Sequence, residues 1–175
     1  MSSALPHLLV LGGARSGKSR FAQGRAEVLT GKLVYLATAQ AFDDEMRQRI
    51  ELHRADRSPR WSTVEAPLDL AEAITAYSTP ETVVLVDCLT LWASNLMLAE
   101  RDTATATEGL ARSLSTARGP VILVANEVGL GIVPDNALAR RFRDVAGRIN
   151  QEMAAVVEEA VIMYAGLPLT LKSKG

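Results

Sequence analysis

The chain has a single cysteine, Cys88, and only two histidines, His7 and His53. One cysteine closes no intramolecular disulfide, and so few thiol and imidazole groups leave no repeated spacing for a structural zinc site. A reducing cytoplasm is the expected setting. Charge of one sign is equally lacking. The 19 Lys and Arg residues against 20 Asp and Glu give a formal net charge of −1, so no whole-molecule field draws the chain to nucleic acid or an anionic membrane. No apolar run approaches the roughly 20 residues that span a bilayer, and Met1 to His7 lack the basic start, apolar segment and cleavage site of an export signal. The expectation is a soluble, unexported protein with small-molecule partners, no nucleic-acid partner and no membrane insertion.

What is present is a globular composition, 48% hydrophobic and 22% charged over 175 residues. That size supports one core, and residues 1–175 read as a single domain with 1–7 as a flexible leader. Short apolar runs at Leu8 to Leu11, Leu33 to Ala37, Thr82 to Val86, Val121 to Ala125 and Ala160 to Tyr164 read as buried parallel strands. Helical patterns cover Lys18 to Leu29, Asp43 to Arg57, Leu68 to Tyr77, Leu89 to Glu100, Glu108 to Ala117 and Leu138 to Glu159. Gly31 suits the left-handed turn after the first helix, and the polar stretch Asp102 to Thr107 reads as a mobile loop. The alternation implies an α/β fold with a mostly parallel central sheet flanked by helices, and the phosphate-cradling motif that follows the first strand makes it a P-loop NTPase-like domain. No repeat or interdomain linker stands out.

The first strand runs into Gly12-Gly13-Ala14-Arg15-Ser16-Gly17-Lys18-Ser19. Glycines at the first and sixth places, then Lys-Ser, form the phosphate-cradling motif in its required setting between a strand and a helix. Backbone N–H groups face phosphate oxygens, Lys18 reaches the terminal phosphates, and the Ser19 hydroxyl is placed for Mg²⁺. Asp87 ends the run Val83-Val84-Leu85-Val86, where an open α/β sheet collects its ligands. It reads as the second magnesium ligand, although strands also end in Asp to cap a turn. Asn-Lys-x-Asp and Asp-x-x-Gly are missing, which disfavours a signalling GTPase.

His53 lies in a helical pattern with Arg49 and Arg57 at four-residue spacing. An imidazole among guanidiniums suits nucleotidyl transfer, because the imidazole attacks phosphorus and the cations stabilise the departing pyrophosphate. A solvated helix whose arginines pair with Glu45, Glu51 and Asp56 fits the same pattern. The residue types leave both readings open. His7 is assigned no role.

Together these pieces resemble the bifunctional adenosylcobinamide kinase/adenosylcobinamide-phosphate guanylyltransferase family of cobalamin biosynthesis. The resemblance rests on Gly12 to Arg20, on Tyr35 to Gln40 followed by Asp43 to Met46 and Arg49-Ile50 through His53, and above all on Asn126-Glu127-Val128-Gly129-Leu130-Gly131-Ile132-Val133-Pro134 continuing to Gln151. It implies that His53 becomes guanylylated, and that nucleotide is contacted by Gly12 to Ser19, by Ala37, Thr38 and Ala39, by Arg54, Ala55, Asp56 and Arg57, and by Glu65 and Asp87. It implies ATP and GTP as substrates with Mg²⁺, adenosylcobinamide and adenosylcobinamide phosphate as acceptors, and a homotrimer. Trp92, Leu96 and Met97 would serve an interface or the core, and core is the expectation. The rival readings are a P-loop small-molecule kinase without guanylyl transfer and a non-catalytic nucleotide-dependent switch.

Overall fold

The computed structural model describes residues 7–40 and 58–173. The expected helix from Asp43 to Arg57 lies outside them. Seven strands form one sheet in the order β3-β2-β4-β5-β1-β6-β7. They are β1 (Leu8–Gly12), β2 (Lys32–Ala37), β3 (Trp61–Glu65), β4 (Thr82–Asp87), β5 (Val121–Asn126), β6 (Glu159–Tyr164) and β7 (Leu167–Lys172). All pairings are parallel except that of β6 with β7. The five expected strands therefore stand, and the sheet is mostly parallel as the apolar runs imply.

Alternation along these strands divides the core between two faces. Leu8, Val10, Leu33, Leu85 and Val124 meet Ala22 and Ala26 of α1 (Lys18–Glu27) on one side. Leu9, Leu11, Leu36, Val86 and Leu123 meet four further helices of the described residues on the opposite side. These are α2 (Leu70–Tyr77), α3 (Leu89–Leu98), α4 (Thr103–Thr116) and α5 (Ala137–Val156). Full burial of a Leu or Ile side chain stabilises by about 1.5–3 kcal/mol, so these two layers supply the main driving force. Trp92 and Leu96 are buried in the second layer and Met97 is half-buried. The indole N–H of Trp92 donates to Leu68 O at 2.8 Å, which satisfies the one polar atom a buried tryptophan brings.

Three expectations are corrected, and two further strands join the sheet. Asp102 to Thr107 is not a loop but the start of α4: Asp102 accepts from Ala104 N–H at 3.0 Å and from the Thr105 hydroxyl at 2.7 Å, a helix N-cap. The last helix stops at Val156, and Glu159 already belongs to β6. Two strands, β3 and β7, lack the buried runs that mark the others. His7 is tied into the fold rather than free: its Nδ1 accepts from Val121 N–H at 3.1 Å, and its own N–H donates to Glu158 at 2.7 Å.

Candidate active site

Because β1 to β6 run parallel, the chain leaves each of them at the same edge of the sheet. Register places Gly12 opposite Asn126 and Met163, Ala37 opposite Asp87, and Glu65 opposite Ala37. Gly12, Ala37, Glu65 and Asp87 therefore line one edge, the edge where open α/β sheets bind ligands. They do not form a single cluster. With strands about 4.8 Å apart, Asp87 lies about 10 Å from Gly12 along the edge, Ala37 about 14 Å and Glu65 about 19 Å.

Gly12 to Ser19 form the loop from β1 to α1. Gly17 has φ 91° and Arg15 φ 53°. Two left-handed residues in so short a stretch bend the backbone into the concave array of N–H groups that takes an anion. Holding Arg15 there costs on the order of 1 kcal/mol, and two ties hold the loop in this shape. Glu127 N–H donates to Gly12 O at 3.0 Å on one side, and Gly166 N–H donates to Ser16 O at 3.1 Å on the other. Gly12 has no room for a side chain, since a Cβ there would strike Ser16 Oγ and come within 3.0 Å of Met163 O.

The start of α1 is bare. Its N-cap is Gly17, no side chain caps it, and its first turn carries no acidic residue. The orphan N–H groups and the positive end of the helix dipole are thus left for an anionic ligand. Lys18 stretches back over the loop, and its Nζ donates to Gly13 O at 2.9 Å.

Asp87 ends β4 half-buried. Neither its carboxylate nor the half-buried Ser19 hydroxyl has a partner among the described residues. Those hard oxygen donors fit Mg²⁺, which takes one or two protein ligands and completes its shell with phosphate and water. No group of three or more His, Cys, Asp or Glu able to hold a metal occurs among the described residues.

Thr38 is fully buried, and its side chain is used within the fold. Thr38 Oγ1 donates to Cys88 O at 2.7 Å and accepts from Cys88 N–H at 2.8 Å across the cis Asp87–Cys88 peptide. Asn95, which the sequence reading overlooked, donates to Thr38 O at 2.8 Å and Pro67 O at 2.9 Å. This buried amide fixes the turn after β2 and so the backbone at Ala37 to Ala39. Burial, and then the charge of Asp87, push the Cys88 thiol above its ordinary pKa, so it remains a neutral packing group. Thr90 Oγ1 accepts from Asn126 N–H at 2.7 Å, which joins the start of α3 to the end of β5.

His53, Arg54, Ala55, Asp56 and Arg57 lie outside the described residues. Trp92 and Leu96, considered for an interface, belong to the core. No helix among the described residues is long and apolar enough to cross a membrane.

Residues 8–171 match the family model described as cobinamide kinase / cobinamide phosphate guanyltransferase. The chain is 45% identical over 168 residues to the bifunctional adenosylcobalamin biosynthesis protein CobP of Pseudomonas aeruginosa, with 95% of this chain and 97% of that protein covered. To the bifunctional adenosylcobalamin biosynthesis protein CobU of Escherichia coli K12 it is 40% identical over 183 residues, covering 94% and 99%. A solved structure from Pyrococcus horikoshii OT3 shares the fold at TM-score 0.58 and 9% identity, covering 97% of this chain and 87% of that one. With a family model matched from β1 to β7 and relatives of this identity aligned almost end to end, the chain belongs to the cobinamide kinase / cobinamide phosphate guanyltransferase family.

Proposed function

We propose that the protein phosphorylates adenosylcobinamide with ATP or GTP, then transfers GMP from GTP to adenosylcobinamide phosphate, giving adenosylcobinamide-GDP and pyrophosphate. The observation that carries this reading is the strained, uncapped loop from Gly12 to Ser19 at the bare start of α1, in a chain that matches the family along nearly its whole length. In the kinase step the loop amides hold the triphosphate. Lys18 neutralises charge that builds on the transferred phosphoryl group, as preorganised donors do in phosphoryl transfer generally. Ser19 and Asp87 would hold Mg²⁺, which when bound draws charge from the phosphate oxygens.

The second reaction is assigned to His53. Its imidazole attacks the α-phosphorus of GTP, a P–N bond forms as the bond to pyrophosphate breaks, and the phosphate of the acceptor later displaces the histidine. Dividing the transfer in two keeps the anionic acceptor from meeting a polyanionic triphosphate in one site. Nucleotide contacts are assigned to Ala37, Thr38, Ala39, Arg54, Ala55, Asp56, Arg57, Glu65 and Asp87. Thr38 serves there through its backbone, because its hydroxyl is engaged with Cys88. A homotrimer in the cytoplasm completes the reading.

The test uses purified protein with Mg²⁺ and GTP labelled at the α-phosphorus. Denatured wild type is expected to retain label that acid releases and alkali does not, and His53→Ala to retain none. If wild type binds GTP yet never keeps GMP, the histidine step is wrong and a kinase without guanylyl transfer takes its place.

A further inference from the structure

The kinase step needs a group to take the proton of the acceptor hydroxyl. We propose that Glu127 is this group, an assignment that rests on the kinase activity proposed above. Asp87 is committed to metal in that reading, and Glu65 lies four strands from β1. Glu127 instead follows β5, the strand hydrogen-bonded directly to β1. Its N–H donates to Gly12 O at 3.0 Å, so its backbone is attached to the first residue of the phosphate loop. It is half-buried, and one carboxylate oxygen accepts from Gly129 N–H at 2.7 Å. Among the described residues no cation pairs with it and no other donor reaches it. A carboxylate held in place through one oxygen, on a residue whose backbone is hydrogen-bonded to the phosphate loop, has the form of a positioned base.

The acceptor side of the site favours the same place. The hydroxyl arrives on a bulky ring system with a methyl-rich rim. The loop that begins at Glu127 displays Leu130, Ile132 and Val133 to solvent, at 83%, 97% and 59% exposure. As the hydroxyl oxygen bonds to the γ-phosphorus, its proton passes to Glu127, the bond from that phosphorus to the bridging oxygen breaks, and nucleoside diphosphate leaves. The half-exposed carboxyl then returns the proton to water.

Glu127→Gln tests this, because the amide oxygen still accepts from Gly129 N–H and the turn is kept. Initial rates with adenosylcobinamide and Mg-ATP are expected to show kcat lower on the order of 10²-fold. KM for ATP and the GMP label retained from α-labelled GTP should match wild type, and Glu127→Asp should recover part of the rate. Two results overturn the proposal: a Glu127→Gln kcat within about threefold of wild type, or loss of GMP labelling together with kinase activity, which marks Glu127 as a prop for the loop. Failure of wild type to phosphorylate adenosylcobinamide removes the kinase reading itself and this proposal with it, and is distinct from a selective loss in the variant.

Discussion

Arg25 of α1 and Glu159 at the start of β6 form a bidentate pair, with Nη1 2.8 Å from Oε1 and Nη2 2.7 Å from Oε2. The pair joins the helix that carries the phosphate loop to the strand beside β1. Hydrogen bonds from Arg25 hold the Glu159 carboxyl below the usual carboxylate range, against a smaller opposing effect of burial. A depressed folded-state pKa contributes stability above the unfolded pKa, and that contribution is lost as pH falls through the folded value. Allowing for the partial exposure of Arg25, Glu159→Gln is expected to cost about 1 kcal/mol near neutral pH. Urea unfolding at decreasing pH should show wild type and variant converging. A gap that persists at low pH would show that the charge of the pair contributes nothing.

Two glycines close together in sequence should respond oppositely to a methyl group. At Gly12 the added Cβ meets Ser16 Oγ and the backbone of β6, whereas at Gly24 it meets open space on a helix. Gly12→Ala is expected to lose about 1–3 kcal/mol and most nucleotide affinity. Gly24→Ala should gain up to about 1 kcal/mol with affinity unchanged. Thermal unfolding and equilibrium binding of a labelled nucleotide read both, and normal binding by Gly12→Ala would disprove the tight fit.

Asn95→Leu preserves size while leaving Thr38 O and Pro67 O without their donor. Unpaired buried carbonyls of this kind cost about 1–3 kcal/mol each at most, and a total loss of about 2–3 kcal/mol is expected. GMP labelling should fall as well, since the turn after β2 is released. Full activity in a destabilised variant would separate this turn from the guanylyl site.

Lys18→Ala removes an exposed ammonium with one weakly anchoring contact, so the melting temperature should barely move. Both phosphoryl transfer and GMP labelling are expected to drop on the order of 10²-fold or more. Retained kinase activity would remove Lys18 from the chemistry.

The central strands and the phosphate loop were legible in the sequence because each is contiguous: buried parallel strands are unbroken apolar runs, and the cradle is eight consecutive residues. β3 escaped because Trp61 to Glu65 is a half-exposed edge strand with mixed residue types. β7 escaped for a related reason, since all six of its residues are exposed and Pro168 interrupts the pattern. The start of α4 was hidden by its threonines, which resemble a loop until Asp102 is recognised as the cap. Asp87 could be singled out from its strand end only with the phosphate loop upstream as context. Glu127 could not, because its place beside Gly12 follows from strand order, and strand order is a property of the assembled sheet. Asn95 was concealed in the same way, reaching across to partners 57 and 28 positions away.

The turn between β6 and β7 gives an exposed hairpin a stake in nucleotide affinity. Ala165 and Gly166 both have positive φ, 52° and 80°, and the Gly166 N–H holds Ser16 O. The hairpin thus acts as an abutment, with the end of β5 as its counterpart, and the phosphate loop is the span between them. In the proposed reading these two ties hold the loop in the shape that receives phosphate, which lowers the entropy cost of binding. By the same linkage, a substitution at the turn of this edge hairpin is felt at the loop assigned to phosphate, through the Gly166 N–H rather than through any side chain.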